Sequence, residues 1–408
     1  MNRKQRLIAM ALALLLPSLA LAELDGPINK PFIKSVGAWI FVGEDDRQEG
    51  SNYWNSNSSY QSLIQNNVYE AVDVLCIGLI NTVQVNATTW PSTTHGGSGW
   101  TLHFTGAGHD AGGQVPGAPT MPPGGYTNQT YFEQIIQDAR AANPHIRITV
   151  GSMYAPGDVF SRIFADPANP QESEARSFAE NVAEFCLQHQ INGYDIDFEE
   201  PLATNTSAEQ FNLIMSELGT AFREKYDLAY GRNLWLLMTP AVSNVSVQLN
   251  SNSSNIINAN LYAMNLQMYN GEYQQTLYWD TLGVNSNLYG YTGSWEVPAD
   301  SEGNYNPPTP EAVLKDNASS NSQQIMMWRL NSGPPALWQL EQSYQKQLYA
   351  ATFPQSGDVD GDTDVDSNDL SALHATLGIC QEDVNHDGDI DIDDLLLLIE
   401  SWGESCTP

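Results

Sequence analysis

The sequence predicts an α/β fold for most of the chain and a small all-α module near the carboxyl end. Short apolar segments rich in β-branched residues alternate with amphipathic helical segments across residues 30–350, a pattern typical of α/β domains with a parallel sheet. The composition changes at Gly357, where an acidic stretch without Lys or Arg begins. We therefore expect two domains, residues 30–350 and 357–404, after an amino-terminal segment over residues 1–22.

The segment Ile191–Pro201 carries three carboxylates at alternate positions. Because strand side chains alternate between the two faces of a sheet, Asp195, Asp197 and Glu199 share one face. The other face carries Tyr194, Ile196 and Phe198. Three acids on a buried strand are costly unless they line a solvated functional cavity. The alternative is an exposed acidic strand on a solvated sheet.

The same segment resembles the D-G-x-D-x-D-x-E signature of family-18 glycoside hydrolases, with Asn192 in place of the first Asp. The resemblance implies a (β/α)8 TIM barrel whose fourth strand ends at the catalytic acid. It implies that Glu199 protonates the leaving oxygen and later acts as a base. Asp197 would then bind the acetamido N–H of the substrate and share a proton with Asp195. These enzymes use the substrate's own acetamido oxygen in place of a carboxylate nucleophile.

Other segments fit the remaining barrel strands in the expected order. Arg147–Ser152 is similar to the family's S-x-G-G segment, with Thr149 and Ser152 as departures. Helices are expected from about Ser173 to Gln190 and, after a capping box at Thr206–Glu209, to about Tyr226. A long loop is expected over residues 96–125. The other expected strands are Val36–Val42, Val72–Ile80, Leu234–Ala241, Asn265–Gly271, Leu288–Tyr291 and Ile325–Arg329.

The sixth expected strand resembles the Q-x-Y-N segment of the plant and fungal class III branch of the family. The resemblance implies that Tyr269 aligns the acetamido carbonyl and that Gln267 and Asn270 hold the sugar. Without it, the same residues are a tyrosine and two amides in an ordinary sheet. Trp328 matches the tryptophan at the floor of the family's site, where a flat ring supports a pyranose. Trp39 could extend that platform or belong to the core.

The acidic segment at the carboxyl end contains two similar loops, residues 358–369 and 383–394. Their oxygen-bearing side chains recur at the positions that a hard Ca2+ ion requires. A Leu-rich helix is expected after each loop, over Leu370–Leu377 and Leu395–Trp402. The alternative is an unstructured acidic tail. The expected ligands are Asp358, Asp360, Asp362, Asp364, Asp366, Asp369, Asp383, Asn385, Asp387, Asp389, Asp391 and Asp394.

A duplicated Ca2+ loop followed by a single helix resembles the type I dockerin module. The resemblance implies a structural role for Ca2+ and a cohesin-bearing scaffold or surface protein as partner. Thr363 stands where the first loop normally has Gly, and a β-branched residue is strained at positive φ. We therefore expect the first loop to bind Ca2+ less tightly than the second, which keeps Gly388.

The amino terminus predicts secretion. A basic segment, Asn2–Arg6, precedes the apolar stretch Leu7–Leu19 and an A-x-A cleavage site that ends at Ala22. We expect an extracellular protein, with the dockerin-like module as a means of attachment to the cell surface. No later segment reaches the ~20 apolar residues of a membrane span. A net charge of −32 argues against nucleic acid and anionic membranes as partners, whereas a neutral polysaccharide would not be repelled.

Three functions remain open from the sequence. The first is a chitinase that hydrolyses β-1,4-linked N-acetylglucosamine (GlcNAc), with no cofactor for catalysis. The second is an endo-β-N-acetylglucosaminidase that cuts the core of N-glycans with the same carboxylates. The third is a chitin-binding lectin without activity. Such lectins usually lack the final Glu of the signature, and this chain keeps Glu199.

Overall fold

The structure is a computed structural model that describes the chain from residue 35 to residue 353, with gaps. The chain divides into two compact units, Met1–Lys346 and Gln347–Pro408, and the second is described only as far as residue 353. The expected signal peptide and the expected Ca2+ module lie outside the described residues. Those residues are 35–42, 53, 55–84, 99–103, 128–152, 159–225, 234–241, 249–269, 275–320, 322 and 324–353.

Eight of the nine strands in the described residues are parallel and close into a barrel. The ring closes because the first strand pairs with both the second and the last. The arrangement is a (β/α)8 barrel, as the sequence predicted. The strands are β1 Ser35–Phe41, β2 Val74–Gln84, β3 Trp100–His103, β4 Arg147–Ser152, β5 Gly193–Glu199, β6 Trp235–Ala241, β7 Ala263–Gln267, β8 Tyr289–Ser294 and β9 Gln324–Trp328.

Helices follow the barrel strands. They are α1 Ser59–Gln65, α2 Asn128–Ala142, α3 Val159–Ile163, α4 Glu172–Gln188, α5 Leu202–Asn205, α6 Ala208–Glu224, α7 Ser251–Asn260, α8 Gln275–Leu282, α9 Pro310–Ser320 and α10 Pro335–Thr352, with 3-10 turns at Val68–Ala71 and Ser286–Leu288. Among the helices that the structure describes, none has both the length and the apolar character needed to cross a bilayer.

Helix α6, the longer of the two helices that follow β5, begins one residue later than expected. Ser207 is its N-cap, and the hydroxyl accepts the backbone N–H of Gln210 while the Gln210 side chain accepts the N–H of Ser207. The expected box at Thr206 is therefore wrong by one residue. The physical reason is that the Thr206 hydroxyl instead donates to the carbonyl of Leu202 at 2.8 Å, which closes the preceding helical turn.

Strand β3 was not predicted, because its residues fall within the expected loop over 96–125. It runs antiparallel to the end of β2, which continues to Gln84, beyond its expected end. Trp100 is buried, and its carbonyl accepts the side-chain N–H of Asn181 on α4 at 3.0 Å. The hairpin is thus tied to the helix that leads into the acidic strand.

A cluster of buried apolar side chains is contributed by five of the barrel strands, β1, β2, β6, β7 and β9. Trp235 at the start of β6 stacks on Tyr262, with ring centroids 4.0 Å apart and planes within 9°. The Arg147 guanidinium lies 5.0 Å from the centre of the Trp235 ring. The buried members of this cluster are Trp39, Phe41, Val74, Cys76, Trp235, Leu237, Ala263 and Met326.

Candidate active site

The three acids of β5 share one face, as strand alternation predicted, and Asp195 and Asp197 on that face hydrogen-bond side chains of β6 and β7 across the barrel interior. Asp195 and Asp197 are buried, with 1% and 3% of their surfaces exposed, and Glu199 at the strand end is half-buried. The opposite face packs against the surrounding helices. Phe198, for example, lies 5.1 Å from the ring of Phe211 on α6. The acids therefore lie in one line from the barrel interior to its carboxyl-terminal rim, where active sites of this fold are found.

Asn192 takes over a structural role at the start of this strand. Its side-chain oxygen accepts the backbone N–H of Ile148 at 2.8 Å, and the backbone N–H of Asn192 donates to the Ile148 carbonyl at 2.6 Å. An amide oxygen accepts this hydrogen bond as a carboxylate would. The departure from the signature at Asn192 therefore leaves the pairing of β4 with β5 intact.

Asp195 is held by one residue on the adjacent strand β6 and one on β7, the next strand around the barrel. The Thr239 hydroxyl lies 2.9 and 3.0 Å from the two carboxylate oxygens, and the Asn265 side-chain N–H donates to one of them at 3.5 Å. Burial raises the pKa of Asp195 to about 7, and the hydrogen bonds from Thr239 and Asn265 act in the opposite direction. Asp195 can therefore gain or lose a proton near neutral pH.

Asp197 is linked to Tyr269 through Gln267. The side-chain N–H of Gln267 donates to an Asp197 oxygen at 3.1 Å, and the Tyr269 hydroxyl donates to the Gln267 side-chain oxygen. Burial, followed by the charges of Glu199 and Asp195, holds the pKa of Asp197 well above its ordinary value, while Gln267 acts against that rise. The arrangement allows Asp197 to carry a proton at neutral pH.

Tyr269 lies two residues after the end of β7, which stops at Gln267. Its side chain is half-buried, whereas Gln267 is buried. The side-chain N–H of Gln267 also donates to the Thr239 carbonyl at 3.4 Å, which joins the contacts of Asp197 to those of Asp195. The structure thus brings four of the expected site residues, Asp195, Asp197, Gln267 and Tyr269, into one network with Thr239 and Asn265. The expected sugar-binding residue Asn270 lies outside the described residues.

Trp328 ends β9 and is partly buried. It contacts Phe41 edge-on, with ring centroids 4.9 Å apart and an interplanar angle of 81°. Trp39 packs against it at 5.4 Å. Trp39 is fully enclosed, at 0% exposure, so it has no face to offer a sugar. Of the two alternatives for Trp39, an extension of the sugar platform or a core residue, its burial and its contact with Trp328 favour the core.

Thr239 and Asn265 were not among the residues expected at the site. Thr239 stands in a strand that is otherwise apolar up to Pro240, and Asn265 had been placed on the sixth barrel strand without a role. A polar side chain at an inward position of a buried strand needs a partner. That polarity was the available signal, but only the closed barrel shows that both side chains reach Asp195.

The described residues contain no group of His, Cys, Asp and Glu side chains arranged to hold a metal ion. The expected Ca2+ ligands, from Asp358 to Asp394, lie outside that part of the chain. Cys76 and Cys186 are buried and not joined in a disulfide.

Comparison with known proteins identifies the family. Residues 53–315 match the model of the glycosyl hydrolases family 18. No curated protein sequence matches the chain. A solved structure with the same fold is a class V chitinase mutant from Nicotiana tobaccum in complex with NAG4, at 12% identity and a TM-score of 0.52, covering 78% of this chain and 100% of that one.

Two further solved structures are similar. One is a family 18 chitinase mutant from Cycas revoluta in complex with (GlcNAc)4, at 11% identity and a TM-score of 0.50, covering 78% of this chain and 99% of that one. The other is a chitinase-like agglutinin from Robinia pseudoacacia, at 12% identity and a TM-score of 0.49, covering 76% of this chain and 99% of that one. The structural likeness shows the fold, and the family model spans well over half of the sequence. The chain belongs to family 18 of the glycosyl hydrolases.

Proposed function

We propose that this protein is a secreted chitinase that hydrolyses β-1,4-linked GlcNAc polymers with retention of configuration, using the substrate's acetamido group as the nucleophile. The observation that carries the proposal is the line of three acids on β5, in which two buried carboxylates with raised pKa values stand beside the half-buried Glu199. The solved chitinases of the same fold hold GlcNAc oligomers, which makes this substrate class the first to test.

In the first step, the protonated Glu199 side chain gives its proton to the glycosidic oxygen as the bond from that oxygen to the anomeric carbon breaks. The acetamido carbonyl oxygen attacks the anomeric carbon from the other side and forms a cyclic oxazolinium ion. Asp197 accepts a hydrogen bond from the acetamido N–H, which increases the nucleophilicity of the carbonyl and stabilises the positive charge. The leaving sugar departs with the proton from Glu199.

In the second step, the Glu199 carboxylate removes a proton from water, and the water oxygen attacks the anomeric carbon. The ring of the oxazolinium ion opens, the acetamido group is restored and Glu199 is protonated again. Tyr269 and Gln267 contribute by orientation. The Tyr269 hydroxyl can turn from Gln267 to the acetamido carbonyl, while the acetamido N–H, which points the opposite way in a trans amide, donates to Asp197.

The pair of buried carboxylates supplies the charge that this cycle needs. With one proton between them, Asp195 and Asp197 carry a single negative charge, which can lie on Asp197 when the oxazolinium ion forms. Thr239 and Asn265 hydrogen-bond Asp195 on its other side. A proton shifted from Asp197 to Asp195 leaves the net charge of the pair unchanged, so no charged group has to enter or leave the barrel.

The substrate is tested by comparing products from colloidal chitin with products from a glycoprotein that carries high-mannose N-glycans. A chitinase releases GlcNAc oligomers from chitin and leaves the glycoprotein intact. Release of the glycan with no action on chitin would instead indicate an endo-β-N-acetylglucosaminidase. Binding to chitin without any product would indicate a lectin. A thiazoline analogue of a GlcNAc oligomer, which imitates the cyclic intermediate, should inhibit a substrate-assisted enzyme.

We further propose that residues 357–404 form a dockerin-like module that requires Ca2+ and attaches the enzyme to a cohesin-bearing protein. The support is the spacing of acids in the two loops, because carboxylates held that close together repel one another until a cation neutralises them. For a module this small, the free energy of metal binding contributes directly to folding. The predicted signal peptide, residues 1–22, would direct the chain out of the cell.

The module is tested on the full chain with and without a chelator. Chelation should make residues 357–404 sensitive to protease, while hydrolysis of a soluble GlcNAc oligomer is unchanged. Asp394→Ala should remove the tighter Ca2+ site, and Thr363→Gly should strengthen the weaker one. An identical protease pattern with and without chelator would rule the module out. Sequencing of the secreted protein from its amino terminus tests the expected start at Glu23.

A further inference from the structure

Two side chains outside the acidic network form an ion pair beside Trp328, and one of them accepts a hydrogen bond from its indole. Glu296 follows the end of β8, and Arg329 directly follows β9. One Glu296 oxygen accepts the indole N–H of Trp328 at 2.8 Å and the Nε–H of Arg329 at 3.1 Å, and its other oxygen accepts an Nη2–H of Arg329 at 3.1 Å. A single carboxylate thus joins the indole to the guanidinium.

Backbone hydrogen bonds also connect the loop that carries Glu296 to Trp328. The N–H groups of Trp295 and Glu296 both point at the carbonyl of Trp328, at 2.5 and 3.2 Å. The loop that carries the carboxylate is therefore attached to the same residue whose ring the carboxylate binds. As a result, the position of Glu296 and the position of Trp328 cannot change independently.

The Arg329 guanidinium is buried between the Glu296 carboxylate and the Phe41 ring. Only 4% of its side chain is exposed, and its guanidinium lies 4.1 Å from the centre of the Phe41 ring. Phe41 in turn contacts Trp328 edge-on. The Glu296 side chain is 38% exposed, so the carboxylate reaches the rim of the site while the arginine beneath it stays covered. A bidentate pair of this kind has a more rigid geometry than a neutral hydrogen bond.

These contacts restrain the indole on several sides. Phe41 and Trp39 pack against the ring, and Glu296 fixes the end that carries the N–H. A ring that stacks on a sugar contributes most when its orientation is already set, because no rotamer freedom is lost on binding. The proposed reaction steps use neither Glu296 nor Arg329, whereas Glu296 binds the indole directly and Arg329 contacts Phe41, which packs on the ring.

We infer that Glu296 and Arg329 are positioning residues that hold the Trp328 indole in the orientation in which it stacks on the substrate sugar. The inference rests on the proposed function, since it requires Trp328 to contact a GlcNAc unit. Stacking of this kind binds the ground state and the transition state alike. Loss of the pair should therefore raise KM more than it lowers kcat.

The test is a double-mutant cycle between Glu296→Ala and Trp328→Phe, in which phenylalanine keeps an aromatic ring but has no N–H to donate. On a soluble GlcNAc oligomer, Glu296→Ala should raise KM roughly five- to twentyfold and change kcat less than about threefold. In the Trp328→Phe background the same change should have less than about a twofold further effect. Glu296→Gln, which keeps an acceptor for the indole, should restore part of the affinity.

A second measurement does not depend on substrate. The indole N–H resonance of Trp328, assigned by its loss in Trp328→Phe, should move upfield in Glu296→Ala. The control is Glu302→Ala, which removes a charge from an exposed position in the same segment and should change neither the kinetics nor that resonance. If Glu296→Ala fails to fold, Arg329→Lys keeps the charge but not the bidentate geometry and should give a smaller rise in KM with the same dependence on Trp328.

Additive effects of Glu296→Ala and Trp328→Phe on an active enzyme would overturn the inference and leave the proposed function standing. An unmoved indole resonance in Glu296→Ala would also overturn it. A wild-type chain that neither binds nor cleaves GlcNAc oligomers would overturn the proposed function and the inference together.

Discussion

Replacing Asp195 with asparagine should stabilise the folded protein at neutral and alkaline pH, because the wild-type carboxylate is buried where its charge is costly. Its pKa is about 7 in the folded state against an ordinary value of 3.8. Between these two values the unfolded chain has released the proton while the folded chain still holds it. The free energy of unfolding therefore falls as the pH rises through this window and levels off above pH 7.

The size of the effect follows from the difference between the two pKa values. At 1.36 kcal/mol for each tenfold change in proton affinity, a rise from 3.8 to about 7 corresponds to about 4 kcal/mol of stability lost between acid and neutral pH. Asparagine has the shape of the protonated acid and no charge to release. It can still accept a hydrogen bond from Thr239.

The assay is denaturant or thermal unfolding of the wild type and of Asp195→Asn at pH 4 and pH 8. The wild type should lose about 4 kcal/mol more stability than the variant between these two conditions. Acids other than Asp197 titrate alike in both proteins and cancel in the comparison. In the variant, Asp197 no longer faces the charge of Asp195, so its own pKa is raised less and the difference between the two proteins grows. Glu302→Gln serves as a control for the loss of one exposed charge. Parallel pH dependences in wild type and Asp195→Asn would refute the idea that burial sets the protonation of Asp195.

Two further predictions concern the surroundings of the acids. Thr239→Val removes a hydrogen bond that favours ionised Asp195, so the pH profile of kcat should move to higher pH by about 1 to 2 pH units. Thr239→Ser keeps the hydroxyl and should retain the wild-type profile. An unchanged profile in the valine variant would contradict this role. Gly151→Ala places a Cβ 2.1 Å from the Trp39 ring, so it should cost about 1 to 3 kcal/mol of stability and raise KM by displacing Trp39 from Trp328. Adding Trp39→Phe to this variant should recover part of the lost stability. A Gly151→Ala protein as stable as the wild type would count against this packing.

Much of the barrel could be predicted from the sequence because its strands are short, apolar and in order. β4 lies where it was expected, at Arg147–Ser152, and the acids of β5 share one face because side chains alternate along a strand. That this face is the barrel interior was implied by the resemblance to the family signature. Strand β3 was missed since it is short and falls in a stretch rich in Gly and Pro. Its pairing with the end of β2 is a tertiary contact that local composition does not encode.

The partners of the acids were harder to predict. Gln267 was expected to hold the sugar, and in the structure its amide joins Asp197 to Tyr269. Trp39 was predicted either to extend the sugar platform or to belong to the core, and in the structure its ring is buried against Gly151. The Glu296–Arg329 pair joins residues 33 positions apart in the sequence, on loops after neighbouring strands. Such contacts depend on the closed ring of strands, which fixes distances that the linear pattern leaves open.

The most direct test of the proposed chemistry is the turnover of Glu199→Gln on a soluble GlcNAc oligomer, with binding of the same oligomer measured by calorimetry. Glutamine keeps the shape of the side chain but cannot donate the proton or act as a base. Loss of a general acid typically lowers kcat by about 10²- to 10⁴-fold, and we expect that loss with the melting temperature and oligomer affinity near those of the wild type. A Glu199→Gln variant that turns over as fast as the wild type would contradict the account.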